Sequence, residues 1–161
     1  MKTAVQEFVG QDLISQDLFS RLVKRIAGEN DLPLGHAERI MDQALAFLGA
    51  CADSSEQLAP SDTVDIGWHT FILYTRDYAR FCERVAGRFL HHVPNDGKHI
   101  ARDPERMTDR TVDAIRQAGY AVDLPLWKAS AKCNQCSEGC THSSGDTGCH
   151  HHPVRTDTVP A

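Results

Sequence analysis

Residues 61–87 read Ser61-DTVDIGWHTFILYTRDYARFCERVA-Gly87, and their apolar spacing points to an all-α protein. Val64, Trp68, Phe71, Thr75, Tyr78, Cys82 and Val85 recur at alternating steps of four and three, which lines them up on one helical face. Ile66, Ile72, Leu73 and Phe81 widen that face beyond an ordinary amphipathic stripe, so the spacing predicts a central, buried element. Thr75-Arg-Asp-Tyr78 suits a fresh helix start, and one kinked helix or two successive helices both satisfy the pattern.

Upstream the period is again helical. Val5, Phe8, Val9, Leu13, Ile14, Leu18, Leu22, Val23 and Ile26 form one run, with Gly10 as a place to split it and Gly28 and Asn30 as its end. A second helix is expected from residue 33 or 34 to 51, with Ile40, Met41, Ala44, Leu45, Phe47 and Leu48 facing inward and Pro33 in the first turn. Residues 52–60 are polar and read as a loop. Downstream, His91-His92-Val93-Pro94-Asn95-Asp96-Gly97 is turn chemistry. Asp103-Pro104-Glu105 opens another helix, which Met107, Val112, Ile115 and Ala118 carry to Gly119. Leu124-Pro125-Leu126-Trp127 then reads as an extended strap laid back on the bundle. With no alternating strand pattern in sight, the expected architecture is a small all-α bundle of four or five helices over residues 1–128.

Residues 129–161 are different in kind. They contain no Leu, Ile, Met, Phe, Tyr or Trp, and so cannot offset their backbone ordering entropy by apolar burial. They hold four of the six cysteines and four of the nine histidines. Cys133-Asn-Gln-Cys136 presents two thiols to one point, as structural zinc sites do, and Cys140, His142, Cys149 and His150 supply more ligands than a tetrahedral ion needs. Zinc is the expected ion, with copper or nickel as alternatives for surplus soft donors. Such ligands must lose protons to coordinate, so retention is expected to weaken near pH 5. A solvated tail with incidental cysteines is the plainer alternative.

A second constellation lies in the helical part. Asp65 and His69 are four residues apart and stack on one helix face. Two explanations stand side by side. Asp65 orients an imidazole that binds a metal or moves a proton, making His69 and Asp65 candidate catalytic residues. Alternatively Asp65 satisfies amide donors at a helix start and His69 is a structural histidine bonded to it. His91 and His92 are further donors: if their turn folds back on the helix, a His69/His91 or His69/His92 metal site results. Tyr74 and Tyr78 read as core or rim aromatics, and Cys51 and Cys82 as small buried hydrophobes.

The formal charge of -5 speaks against a nucleic-acid or anionic-membrane partner. No apolar run approaches a membrane span, no secretion core opens the chain, and a cytoplasmic location is expected, where thiols stay reduced. No phosphate loop, nucleophile elbow or His-Glu-x-x-His motif occurs. The composition therefore predicts a metal-binding protein without enzymatic activity, its ion held by the tail. A metal-dependent enzyme built on Asp65, His69, His91 and His92 is one alternative, and a helical protein-interaction module with a flexible tail is another.

The run Asp65-x-x-Trp68-His69-x-Phe71-Ile72-Leu73-x-Thr75-x-x-Tyr78-x-x-Phe81-Cys82, followed by Gly87-x-Phe89-x-His91-His92-x-Pro94, resembles bacterial relatives of the glycine-rich domain-containing proteins. Leu126-Trp127 ahead of a Cys-containing, Gly/Ser-rich tail is similar too. The resemblance implies no established catalytic activity; the plant members are linked to development and stress responses. The tail departs from that type, with only Gly139, Gly145 and Gly148 among its Cys and His residues.

Overall fold

A computed structural model describes residues 7–93 and 104–128. Six α-helices and one 3-10 turn account for most of them: the turn Gly10–Leu13, then α1 Gln16–Asn30, α2 Leu34–Asp53, α3 Asp62–Ile72, α4 Thr75–Ala86, α5 Pro104–Gln117 and α6 Leu124–Trp127. The expected all-α class holds. Among the described residues the only β-type pairing is an isolated parallel bridge between Phe8 and Tyr120. No helix among them is long and apolar enough to cross a membrane.

The central helix is α2, not the 61–87 segment. Its residues 43–50 are buried without interruption, and it packs against the 3-10 turn, α1, α3, α4 and α5. Small side chains make this possible: Ala44, Ala46, Gly49 and Ala50 let neighbours approach from every side. The inward set Ile40, Met41, Ala44, Leu45, Phe47 and Leu48 is fully buried, as its spacing predicts. Gly67 of α3 lies so close that a Cβ there would meet the Ala44 Cβ at 2.6 Å. That contact sets how near α3, and the polar residues it carries, can sit to the core.

The 61–87 segment divides into two helices. Leu73 is still helical, but Tyr74 turns to φ -88° and ψ 60°, and α4 starts afresh at Thr75. The break moves Thr75 out of the apolar stripe to an exposed position and leaves Leu73 58% exposed. The Arg21 and Arg25 guanidinium groups lie 5.7 and 5.9 Å from the Tyr74 ring centroid, so the ring stays at the rim. Thr75 does not cap α4; it is the first residue inside it.

Three smaller expectations change. Phe8 and Val9 lie outside any helix, since Phe8 pairs with the 119–121 segment through Phe8 N–H to Gly119 O and Ala121 N–H to Phe8 O, each 2.9 Å. Gly28 lies inside α1, which ends instead at Asp31 in the left-handed region at φ 52°, a conformation Asp tolerates better than most residues. Residues 124–127 form a helical turn rather than an extended strap.

That turn is tied down by Gln43, a buried amide in the otherwise apolar middle of α2. Gln43 Oε1 accepts from the Trp127 indole N–H at 2.8 Å and the Asp123 backbone N–H at 3.0 Å, while its Nε2 donates to Ala121 O at 3.1 Å. The same strap reaches the start of α3, where the Ser61 hydroxyl donates to Leu126 O at 2.6 Å and accepts from Val64 N–H, capping the helix.

Candidate functional site

Asp65 and His69 face outward from α3 on one side, one turn apart. Ser61, not Asp65, serves the free amides at the helix start, which leaves the Asp65 carboxylate for other partners. Its Oδ2 lies 3.3 Å from His69 Nε2.

The third member comes from beyond α4. Gly87, at φ 64°, takes the left-handed conformation that ends α4 and turns the chain back. Arg88 donates to Cys51 O at 2.9 Å, and Leu90 is buried. A buried relay then fixes the segment: Trp68 Nε1–H donates to the Tyr78 hydroxyl at 2.9 Å, and that hydroxyl donates to Leu90 O at 2.5 Å. Burial drives the Tyr78 phenol well above its ordinary range, the Trp68 hydrogen bond opposing the shift. Two residues past Leu90, the His92 ring packs between Trp68 and His69, with centroid distances of 4.4 and 4.3 Å.

His92 Nε2 thereby comes within 2.9 Å of Asp65 Oδ1 and within 2.9 Å of His69 Nε2. His92 is only 13% exposed and Asp65 27%, whereas His69 is 60% exposed and opens the group to solvent. A ring nitrogen offers either one N–H or one lone pair, so His92 Nε2 makes a good hydrogen bond to one of these neighbours and not to both. Two Nε2 protons would serve both carboxylate oxygens, but the two N–H groups would then face each other across 2.9 Å. A cation accepts all three lone pairs at once. The separations also fit: ligands bound at ~2.1 Å lie ~3.0 Å apart at right angles and ~3.4 Å apart at tetrahedral angles, against 2.9 to 3.3 Å here.

The structure thus brings together Asp65, His69 and His92, the one group of three or more ligand-type residues found among those described. His91 is not part of it: its ring is exposed and lies against Phe89, at a centroid distance of 4.8 Å. Cys133, Cys136, Cys140, His142, Cys149 and His150 lie outside the described residues. Cys82 is buried and Cys51 half-buried, both as free thiols, and burial pushes the Cys51 thiol up to about 12. A raised value is the opposite of what activates a thiol, so Cys51 is not a reactive one. Tyr78 is committed to its relay, and Tyr74 is a rim aromatic.

Residues that sequence reasoning did not single out complete the surroundings. A cleft of about 560 Å³ runs beside His69 and His92, walled by Ile66, Ile72 and Leu73 of the α3 end and by Glu29 of α1. The exposed Leu73 at the helix break is its signature in the fold, but the break itself is a tertiary outcome.

A family model described as UCP032817-like matches residues 5–111, two thirds of the chain and the whole Asp65/His69/His92 group. No curated protein and no solved structure matches. The matching family, an uncharacterised one, replaces the glycine-rich domain-containing resemblance. The reason is visible in the motif: Trp68, Phe71, Tyr78, Phe81 and Cys82 are all core positions, so packing demands that spacing in any helix pair of this kind.

Proposed function

The chain belongs to the UCP032817-like family, and from that premise and the site geometry we propose that its helical domain holds a divalent metal ion on Asp65, His69 and His92. The single observation that carries this reading is the convergence of two imidazole nitrogens and a carboxylate within hydrogen-bonding distance, three contacts that no single tautomer pairs together. Imidazole nitrogen and carboxylate oxygen are ordinary zinc ligands, and zinc is our assignment. Nickel and copper(II) also take nitrogen and oxygen donors; nothing in this set selects copper(I), which prefers sulfur.

Three protein ligands on one face leave at least one coordination position to water or a small ligand, as in catalytic rather than structural zinc centres. That favours metal-dependent chemistry over passive chelation. Metal binding by the Cys/His tail is a separate proposal, resting on composition alone, and the family match ends before it.

Elemental analysis of untagged, full-length protein tests the two against each other. His92→Ala and Asp65→Asn are expected to lose about one equivalent of tightly held zinc that Cys133→Ser/Cys136→Ser retains. Wild-type zinc content in His92→Ala, with loss in the cysteine variant, would transfer the function to the tail.

A further inference from the structure

We infer, building on the metal reading above, that the cleft beside the triad takes a small molecule with a carboxylate-type head on the ion and a short aliphatic body along the end of α3. The cleft, at about 560 Å³, has the size of a small-molecule site. Two of the three proposed ligands, His69 and His92, form part of its wall, so an ion there presents its open positions to the cleft rather than to the core.

Beyond those histidines the wall is aliphatic along Ile66, Ile72 and Leu73, with Thr70, Asn30 and Glu29 as its polar members. Ile66, His69, Ile72 and Leu73 are three or four residues apart along α3 and so share one side of it, one above the next. Leu73 is held 58% exposed by the helix break, a placement that contributes little to the core and leaves a large apolar group facing the cleft. From His69 to Leu73 the helix rises about 6 Å, the length of a chain of about five carbons. A head group on the ion therefore puts about four to six carbons against Ile72 and Leu73.

Glu29 lines the same cleft with one carboxylate oxygen on Arg25 at 2.8 Å, so its charge is matched by a neighbouring cation. The proposed ion takes the head group, and the aliphatic strip reads the body.

Alkyl hydroxamates serve as probes, because the head chelates zinc while the chain length is varied. With the zinc-loaded full-length protein, calorimetry is expected to show hexanohydroxamate binding about tenfold more tightly than acetohydroxamate, since each added buried methylene contributes favourably. Leu73→Asp, at an exposed position that leaves the fold intact, is expected to bring the two alkyl probes to equal affinity. Equal affinities in the wild-type, zinc-bound protein would overturn this inference and leave the metal reading standing. Zinc absent from the wild-type protein would remove both. Undiminished hexanohydroxamate binding to His92→Ala would show an apolar site independent of the ion and would overturn the inference as well.

Discussion

Two polar clusters, one centred on Gln43 of α2 and one on Asp65 and His69 of α3, obey opposite rules. Around Gln43, every buried donor has one acceptor: the Trp127 indole, the Asp123 amide and the Ala121 carbonyl each meet the matching end of one side-chain amide. Such a fully satisfied network holds an element in place and asks for nothing from outside. Around His92, two imidazole nitrogens and the Asp65 carboxylate make three close contacts that no single tautomer pairs all at once, and His69 leaves the group open to solvent. The first cluster completes the fold. The second is the one for which we propose a cation. Burial alone would not separate them; the count of donors against acceptors does.

The contrast makes testable demands. Removing Trp127, which is buried against Phe47 and bonded to Gln43, is expected to cost about 3–5 kcal/mol of stability in Trp127→Ala. Zinc affinity should change less than tenfold. Thermal unfolding together with a zinc competition titration checks both halves, and a large affinity loss would mean that the strap acts on the site through Ser61. Gln43→Leu leaves three buried backbone and indole groups without partners and is expected to cost about 2–4 kcal/mol, again with zinc retained.

Tyr78→Phe lies between the two cases, because its hydroxyl fixes the segment that delivers His92. Loss of the Leu90 hydrogen bond and of the Trp68 acceptor is expected to cost about 1–2 kcal/mol of stability. It should also weaken zinc binding about tenfold, as loss of an orienting partner does at other metal sites. A stability loss with zinc affinity unchanged would show that packing against Trp68 positions His92 without the relay.

The smallest effect concerns alkaline pH. Cys51 and Tyr78 are both raised in the folded protein, Cys51 to about 12, chiefly by burial. A raised folded value favours the neutral form, so their contribution is fully present below the ordinary thiol value of 9.0 and is lost as pH climbs toward 12. Urea midpoints should be level from about pH 7 to 9 and fall above it. A midpoint that rises across that alkaline window would contradict the burial assigned to both groups.

Sequence reasoning was strongest where neighbours along the chain dictate the outcome. Ile40, Met41, Ala44, Leu45, Phe47 and Leu48 announce α2 by period alone, and the pairing of Asp65 with His69 follows from one helical turn. It was weaker where a short local choice controls a whole element. The stripe through Val64, Trp68 and Phe71 continues smoothly across Thr75, yet Tyr74 breaks the helix there. Gln43 carried a signal that went unused: an amide opening the apolar and small-residue run 44–50 needs buried partners.

Periodicity, charge and the spacing of Asp65 and His69 were enough to establish a helical protein with two members of the polar group, because side chains one turn apart must share a face. The third depended on whether His91 or His92 would arrive, and from which side. Local patterns are blind to that choice. It rests on Gly87 reversing the chain and on the buried Trp68–Tyr78–Leu90 relay pinning it, contacts between residues 10 and 12 positions apart that exist only once α3 and α4 have packed.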